Sequence, residues 1–265
     1  MKRHKICKII LAILAFFLCV AFYELIGICI TYQEQPGVSD ATIKETQNIM
    51  SVAGRENTER AVIIEKNSQA LLERVRLIQN AKDEIILSTF AFKSDESGKL
   101  ILGALHDAAD RGVHVRILVD GMESWIDMEG NPYFYGLSSH ENVEIKLYNK
   151  ANPLKPWKTM GRMHDKYLIA DGKIYILGGR NTYNYFLGDF PGHKNFDRDV
   201  LVVCDEPQKD NSVNQLWNYF ETIWEQEDCR YFHNSKKLAD RQSVKKAVLE
   251  LQEGYQQYLG VNKEK

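Results

Sequence analysis

The stretch RMHDKYLIADGKIYILGGRN, at residues 162–181, indicates the fold more clearly than any other part of the chain. Apolar and β-branched residues at Arg162–Ala170 and Lys173–Leu177 predict two strands. Asp171-Gly172 between them is a strong signal for a two-residue hairpin turn. The stretch therefore predicts an antiparallel hairpin, and the segments around it predict what this hairpin pairs with.

Segments with strand and helix patterns alternate along most of the chain. EIILSTFAF at Glu84–Phe92 is almost continuously apolar, which is typical of a strand covered on both faces. Other strands are predicted at Ala61–Glu65, Val113–Asp120, Val143–Tyr148 and Val200–Val203. Helices are predicted at about 67–81, 99–110, 211–225 and 242–259. This alternation predicts an α/β domain in which helices flank a mixed β-sheet.

The first strand of the hairpin carries two residues that can perform chemistry together. His164 and Lys166 are two positions apart, so on a strand their side chains project to the same face, and Leu168 and Ala170 continue that face into the core. An imidazole can attack phosphorus, and an ammonium can hold a phosphoryl oxygen as negative charge develops on it. The pair supplies a nucleophile and an electrostatic clamp without a metal.

Further residues of the same stretch have two interpretations each. Asp171 completes the pattern His-x-Lys-x-x-x-x-Asp, and it is explained equally well as the turn residue before Gly172. Gly178 and Gly179 lack side chains where backbone would approach a phosphate closely, or they form a bend at the end of a strand. Asn181 can donate its amide hydrogens to the same phosphate oxygens.

The stretch resembles the HKD motif of the phospholipase D superfamily, and GGRN at Gly178–Asn181 resembles the Gly-Gly-x-Asn of its cardiolipin synthase branch. The similarity extends to NSQALLERVRLIQNAKDEIILSTFAF, AADRGVHVRILVDG, NVEIKLYN and DRDVLVV. It spans about Ala61–Trp224 and corresponds to the N-terminal half of a member with two motifs. The resemblance implies the phospholipase D fold and a phosphodiester-cleaving enzyme that uses neither cofactor nor metal.

The resemblance also implies a two-step reaction. One histidine attacks the phosphodiester and forms a covalent phosphohistidine, while the histidine of a second motif protonates the leaving alcohol. Water or another alcohol then resolves the intermediate. His164 is accordingly expected to be the nucleophile or its acid partner. The phosphate-binding residues are expected to be Lys166, Gly178, Gly179 and Asn181.

Acidic residues complete the expected site. Asp171 is carried over as the third catalytic-motif residue, although its turn position fits a structural role better. In this family an acid after the motif orients the histidine, and Asp199 matches it best, with Asp197 second. Cardiolipin synthases continue after the asparagine with Ile-Gly-Asp-Glu-Tyr-Phe, whereas residues 182–186 read TYNYF. The acceptor therefore stays open between water, as in a phospholipase D, and phosphatidylglycerol, as in a cardiolipin synthase.

The chain contains one HKD motif, whereas the implied reaction uses two histidines. A second copy across a two-fold axis, or a partner chain with a second motif, is expected to supply the other. One alternative is a nuclease of the same superfamily, and another is a half-molecule that is inactive without its partner. The net charge of −2 disfavours nucleic acid as a partner and leaves phospholipid as the expected substrate.

The N-terminus predicts a membrane anchor. Residues 1–8 are basic, and residues 9–32 are apolar and long enough to cross the hydrocarbon core. By the positive-inside rule the first eight residues stay in the cytoplasm, which makes this a single-pass protein of the cell membrane with an extracytoplasmic catalytic domain. A cleaved signal peptide is the alternative. Glu24 is costly in hydrocarbon unless it lies near an interface.

The remaining chain divides into a polar stalk at 33–60, a phospholipase D-like catalytic domain at 61–230 and a helical extension at 231–265. A basic, aromatic loop precedes His164; it fits either a loop that holds an anionic headgroup or an ordinary solvated loop. Its residues are Lys155, Trp157, Lys158 and Arg162. Cys204 and Cys229 lack the spacing of a metal or redox site and are either reduced or paired.

Overall fold

The structure is a computed structural model, and it describes residues 2–33, 39–44, 59–150, 152, 154–158, 160–206, 211–233 and 235–262. Most of the predicted stalk, residues 34–38 and 45–58, lies outside the described residues. The described chain forms two units. One comprises the N-terminal part up to residue 57 together with residues 151–162, and the other comprises residues 58–150 and 163–265.

The helices and strands occur in the predicted alternating order. The helices are α1 (Lys2–Gln33), α2 (Asn67–Asn80), α3 (Glu96–Asp110), α4 (Gly121–Asp127), α5 (Pro132–Ser138), α6 (Ser212–Trp224), α7 (Lys236–Ala239) and α8 (Gln242–Asn262). The strands are β1 (Glu59–Ile64), β2 (Glu84–Thr89), β3 (His114–Asp120), β4 (Val143–Tyr148), β5 (Tyr167–Ala170), β6 (Ile174–Gly178), β7 (Asp199–Cys204) and β8 (Cys229–Tyr231). A short 3₁₀ helix spans Pro156–Lys158.

Within the described residues, the strands form one sheet in the order β1-β7-β6-β5-β2-β3-β4-β8. β2, β3 and β4 run parallel, and the remaining neighbours pair antiparallel. Parallel strands need crossover connections, and α3 supplies the one between β2 and β3. The prediction of a mixed sheet flanked by helices is confirmed.

The sheet is covered on both faces. β2 is buried almost throughout, as its continuous apolar sequence predicts. Alternate residues of β2 face two separate apolar clusters: Ile85 and Leu87 join the cluster that includes residues of α2, α3 and α8, whereas Ile86 joins the cluster that includes residues of α6. The sheet is thus the middle layer of three, and the site residues lie where its central strands end.

The hairpin β5–β6 turns at Asp171-Gly172 as predicted, but its loop has three residues, 171–173, where two were predicted, because Ala170 pairs with Ile174. Asp171 and Gly172 have φ values of +51° and +60°. Two consecutive positive φ values are the geometry of a type I′ turn, which matches the right-handed twist of the strands and favours Asp-Gly. This turn fixes the pairing of β5 with β6, with Tyr167 opposite Leu177.

The motif strand is shorter than predicted. β5 begins at Tyr167, not at Arg162, because its neighbours β2 and β6 end at Thr89 and Gly178. The residues before Lys166 therefore leave the sheet. Likewise β2 stops before Phe90, and the chain continues alongside the segment after β6 through a bridge between Phe92 and Thr182.

The C-terminal helix α8 packs into the core of the second unit. Leu251 and Tyr255 are almost fully buried in the larger apolar cluster. At Gly103 of α3, an added Cβ would lie 2.7 Å from the Leu251 carbonyl oxygen, so the two helices are in close contact. Helix α8 therefore belongs to the second unit.

The two cysteines of the second unit are buried and free. Cys204 lies on β7 and Cys229 on β8, which are six positions apart in the sheet. At about 4.8 Å between neighbouring strands they are separated by well over 20 Å, whereas a disulfide needs Cα atoms within about 7 Å. The alternative of a pairing between them is excluded in this fold.

The first unit is built on α1. Within it, the segment His4–Ile30 is long and apolar enough to cross a membrane. Its large apolar side chains, such as Leu14, Phe16 and Phe17, are exposed. A helix that is apolar on all sides is typical of a membrane span or of a buried core helix, and this one is not buried in the described structure.

Candidate active site

His164 and Lys166 lie together at the end of β5. The Lys166 ammonium nitrogen is 3.2 Å from His164 Nδ1, and it donates a hydrogen bond of 2.7 Å to the His164 carbonyl oxygen. Lys166 is 6% exposed, whereas His164 is exposed. The prediction that both side chains project together is confirmed, and the imidazole is the member of the pair that solvent and ligands can reach.

The neighbouring strand β2 supplies an aromatic support that the sequence did not single out. Register pairs Ser88 with Tyr167, so the chain beyond β2 runs past the residues that precede β5. The Phe90 ring centroid lies 4.5 Å from that of His164, and the Lys166 ammonium nitrogen lies 5.4 Å from the Phe90 centroid. Phe90 thus contacts both members of the pair and restricts the positions that the imidazole can adopt.

Burial and nearby carboxylates have opposite effects on the pKa of Lys166. Removal from water lowers the pKa of the Lys166 ammonium below its ordinary value, and the negative charges of Asp165 and Asp197 oppose that shift. Asp165 also accepts a 2.8 Å hydrogen bond from the Tyr219 hydroxyl. Burial and this bond raise the pKa of Tyr219, so it remains a donor to Asp165. A partly desolvated ammonium interacts more strongly with a phosphate than an exposed one does.

Asn181 lies next to the segment that carries Phe90, and the oxygen of its side-chain amide is hydrogen-bonded. Its Oδ1 accepts a hydrogen bond of 3.2 Å from the Ala91 backbone N–H, and the side chain is 7% exposed. The amide orientation is thereby fixed, and Nδ2 makes no hydrogen bond within the described part of the chain. The structure brings Asn181 to the segment that carries Phe90, with two N–H hydrogens left for a ligand.

The two glycines make room for carboxylates. A Cβ at Gly178 would lie 2.0 Å from Asp199 Oδ1, and a Cβ at Gly179 would lie 2.0 Å from Asp197 Oδ2. The sequence left two interpretations of these glycines, a close approach of backbone to a phosphate or a bend at the end of a strand. In the structure the Asp199 carboxylate fills the space beside Gly178, the last residue of β6, and the Asp197 carboxylate fills the space beside Gly179, just after β6.

Asp171 lies at the opposite end of β5 from the imidazole. Five residues of extended chain separate it from Lys166, which is about 16 Å. Its carboxylate accepts hydrogen bonds of 2.8–3.1 Å from the backbone N–H groups of Lys82, Asp83 and Glu84. The structure therefore does not bring Asp171 together with His164; it uses the residue to join the hairpin turn to the start of β2.

Asp199, ranked first as the histidine-orienting acid, is engaged elsewhere. Its Oδ2 lies 2.9 Å from an Arg74 guanidinium nitrogen and 3.2 Å from one of Arg180, and the carboxylate is completely buried. Asp197 is only partly buried, and its negative charge raises the pKa of Lys166. The role of orienting the histidine stays a prediction for both aspartates, with Asp199 engaged by two arginines and Asp197 closer to Lys166 in its electrostatic effect.

Arg180, the variable residue of GGRN, is a buried anchor that the sequence did not reveal. It is 1% exposed and donates to the carbonyl oxygens of Ile64, Glu65 and Asp197 and to Asn67 Oδ1. These bonds tie the loop between Gly179 and Asn181 to the end of β1. A buried guanidinium needs such a complete set of acceptors.

Asp120 fixes the segment that enters the motif, and it too was missed. It is 1% exposed at the end of β3, where its Oδ1 caps α4 through the N–H groups of Met122 and Glu123. Its Oδ2 accepts a 3.1 Å hydrogen bond from the Met163 N–H, immediately before His164. The sequence signal was present, because an aspartate after a buried strand and before a helix is a typical N-cap.

No group of three or more histidine, cysteine or carboxylate side chains with the geometry of a metal site occurs among the described residues. The charge-stabilising groups at the site are instead the Lys166 ammonium and the Asn181 amide. The ammonium can only donate hydrogen bonds, and the amide oxygen of Asn181 already accepts one from Ala91. Neither group is therefore a typical ligand of a divalent cation.

Comparisons with known proteins identify the family of the chain. The sequence profile of the family described as "Cardiolipin synthase, PLD-like domain" matches residues 75–224. An uncharacterized protein of Helicobacter pylori (strain ATCC 700392 / 26695) is 33% identical over 181 residues, which cover 63% of this chain and 35% of the relative. Cardiolipin synthase C of Escherichia coli K12 is 29% identical over 154 residues, which cover 53% of this chain and 31% of the relative. The chain thus spans about a third of the length of the curated relatives it matches.

The fold is shared with a solved structure. Phosphatidylserine synthase of Haemophilus influenzae Rd KW20 superposes with a TM-score of 0.53 over 83% of this chain and 48% of that one, at 15% identity. A likeness at this identity concerns the fold alone. The profile match covers more than half of the chain and includes the whole HKD stretch, and the chain therefore belongs to the cardiolipin synthase family of phospholipase D-like domains.

Proposed function

We propose that this protein cleaves a phospholipid phosphodiester through His164 and transfers the phosphatidyl group to water or to an alcohol. The observation that carries the proposal is the 3.2 Å approach of the Lys166 ammonium to His164 Nδ1 at the exposed end of β5. A nucleophilic nitrogen and a fixed positive charge are there within reach of one phosphate. Membership of the cardiolipin synthase family supports phospholipid as the substrate class.

In this mechanism the substrate phosphate breaks the hydrogen bond between Lys166 and His164. An ammonium can only donate hydrogen bonds, so His164 Nδ1 is the acceptor, and a neutral imidazole then carries its hydrogen on Nε2. That tautomer has no lone pair on Nε2 and cannot attack through it. When a phosphoryl oxygen takes the Lys166 ammonium, Nδ1 is released; water then takes the proton from Nε2 and supplies one to Nδ1, which leaves Nε2 with its lone pair.

A carboxylate then stabilises the attacking tautomer. Asp197, which acts on the charge of Lys166 and packs against Gly179, is the acid we propose to orient the histidine. Nε2 attacks phosphorus, the bond from phosphorus to the leaving alcohol oxygen breaks, and a proton is delivered to that oxygen. Lys166 and Asn181 Nδ2 hold the non-bridging oxygens as their negative charge increases. Asp171 has a structural role in this proposal.

The proton for the leaving alcohol needs a second histidine. One imidazole cannot be a neutral nucleophile and a protonated acid at the same moment. We propose that a second copy of this chain, related by a two-fold axis, supplies its own His164. A partner chain with a second HKD motif is the alternative, and the purified chain would then be inactive until the partner is added.

Membrane anchoring is also part of the proposal. The apolar span His4–Ile30 and the basic residues before it support a single-pass orientation with the catalytic domain outside the cytoplasm. An anchor confines the copies to one plane and raises their effective concentration for dimer formation. It also keeps the site next to its phospholipid substrate.

The decisive experiment compares purified full-length protein with His164→Ala and with His193→Ala, which removes an exposed histidine outside the HKD motif. Phosphatidylglycerol in detergent micelles is supplied with water alone or with added glycerol as acceptor, and the phospholipid products are measured. We expect His164→Ala to abolish product formation and His193→Ala to retain it. Cleavage at the wild-type rate by folded His164→Ala would refute the proposal, and cleavage of DNA but not of phospholipid would replace it with nuclease activity.

A further inference from the structure

The loop that leads to the motif is packed on the apolar helix of its own unit. The Tyr23 hydroxyl donates a hydrogen bond of 3.1 Å to the Leu154 carbonyl oxygen. At Gly27, an added Cβ would lie 2.6 Å from Pro156 Cγ and 3.1 Å from the Trp157 backbone nitrogen. Gly27 is buried by this contact, whereas its neighbours Leu25 and Ile26 on the other faces are more than half exposed. A glycine is required at this position because any side chain would push the loop away.

The contact lies near the downstream end of the membrane-spanning segment. Gly27 precedes Ile30, the last residue of the apolar span, by three residues, or about 4.5 Å along the helix axis. The headgroup region of a bilayer is about 5–8 Å thick on each side of the hydrocarbon core. A loop held against Gly27 is therefore at the level where hydrocarbon gives way to headgroups.

The composition of the loop fits that level. Residues 151–162 contain three basic residues and no acidic ones, and they read ANPLKPWKTMGR. Three large apolar side chains of the loop are exposed: Leu154 at 78%, Trp157 at 44% and Met160 at 44%. Tryptophan is enriched at membrane–water interfaces, and lysine beside a membrane surface attracts anionic headgroups.

We infer that residues 154–162 form a membrane-docking loop that inserts its apolar side chains among the lipids around α1 and binds anionic headgroups through Lys155 and Lys158. The partner is the bilayer surface, and the chemistry it presents is a phosphate diester with a net negative charge. This inference rests on the membrane anchoring proposed above, and it adds a lipid-binding element that the HKD site does not include. The loop ends at Arg162, two residues before His164 in the sequence.

The docking loop also accounts for the position of Glu24. Glu24, Gly27 and Ile28 lie on one face of α1, and all three are at least half-buried, unlike the residues on the other faces. The loop thus covers the face that carries the one carboxylate of the span. A carboxylate on this covered face, one turn from the headgroup region, avoids the cost of direct exposure to hydrocarbon.

The test uses the full-length protein in lipid vesicles and reads Trp157 directly. Vesicles contain phosphatidylcholine alone or with phosphatidylglycerol, and a bromine label near the headgroup end of the acyl chain quenches nearby tryptophan. The part of the quenching that Trp157→Phe removes belongs to Trp157. We expect strong quenching of Trp157 by bromolipid, with an additional increment from phosphatidylglycerol that is lost in the double variant Lys155→Gln, Lys158→Gln. The matched control Lys173→Gln, Lys245→Gln changes two exposed lysines elsewhere and should retain the increment.

A second pair of variants tests the contact with α1. Gly27→Leu should displace the loop and reduce the quenching of Trp157, whereas Ala21→Leu on an exposed face of the same helix should not. Flotation of the protein with the vesicles measures anchoring separately. If the protein floats but Trp157 is quenched by aqueous iodide and not by bromolipid, the docking loop is refuted and the anchor stands. If the protein fails to float, the anchoring proposal falls and the docking loop with it.

Discussion

Replacing Asp171 by alanine should weaken the fold and leave the chemistry intact, although the residue is the third member of the HKD motif. Its carboxylate accepts hydrogen bonds from three backbone N–H groups at the start of β2, and its φ is +51°. Alanine removes the acceptor and must adopt the same left-handed backbone conformation. Both changes act about 16 Å from Lys166.

The size of the effect follows from these two contributions. Loss of a side-chain acceptor for exposed backbone N–H groups costs about 1 kcal/mol, as at a helix N-cap. A left-handed conformation costs an ordinary residue about 1–2 kcal/mol. The free energy of unfolding should therefore fall by about 2–3 kcal/mol, and the melting temperature by roughly 4–12 °C.

Three substitutions separate the contributions. Asp171→Asn keeps an acceptor and tolerates positive φ, so it should lose least; Asp171→Gly loses the acceptor but not the backbone conformation; Asp171→Ala loses both. Thermal unfolding of the full-length protein in detergent should rank the stabilities in that order. Turnover of phosphatidylglycerol well below the melting temperature should be unchanged in all three. An Asp171→Ala protein with the wild-type melting temperature and severely reduced turnover would refute this reasoning and restore a catalytic role.

Other properties of the site can be tested in the same assay. Burial lowers the pKa of Lys166, so turnover should decline on the alkaline side at a pH below the ordinary lysine value of 10.5, because the clamp then loses its proton; Lys166→Arg should move the decline to higher pH, and an identical profile would count against the assignment. Gly179→Ala should reduce kcat/KM by about 10²-fold because its Cβ would displace the Asp197 carboxylate, whereas Gly254→Ala, which meets open space, should have no effect. Turnover should survive EDTA, because an ammonium and an amide supply the charge stabilisation; loss on chelation with recovery on adding one divalent ion would contradict the mechanism. In mixtures of wild-type and His164→Ala subunits, activity should follow the square of the wild-type fraction, and an active monomer in light scattering would exclude a shared site.

Sequence patterns predicted the parts of this fold that depend on local chemistry. The Asp171-Gly172 turn and the buried strand β2 follow from turn preferences and from strand composition, and the structure confirms both. His164 and Lys166 lie together as predicted, but they precede β5, so strand periodicity is not the reason. Strand ends were less accurate. β5 starts five residues later than predicted because its length depends on where β2 and β6 stop, which the sequence of β5 does not contain.

The partners of the acidic residues could not be predicted in the same way. Asp199 and Asp197 are two positions apart, and either can be aligned with the acid that orients the histidine. The two aspartates differ in a contact with a residue that is distant in sequence, because Arg74 on α2 forms an ion pair with Asp199. The missing side chain of Gly178 was visible in the sequence, but the group that occupies the space, the Asp199 carboxylate, was not. Such contacts arise only when the sheet brings β6 and β7 together.

The buried Arg180 gives the fold a mechanical property. β1 is the first strand of the described chain, so a pull on the N-terminal side reaches it before the other described strands. β1 pairs with β7 over the six residues Glu59–Ile64, and tension along its axis is opposed by these bonds in shear. The Arg180 guanidinium donates hydrogen bonds to the carbonyl oxygens of Ile64 and Glu65, at the C-terminal end of β1. The backbone of Arg180 lies between Gly179 and Asn181. In the proposed anchored enzyme, tension on β1 would therefore reach the loop from Gly179 to Asn181 through the hydrogen bonds of Arg180.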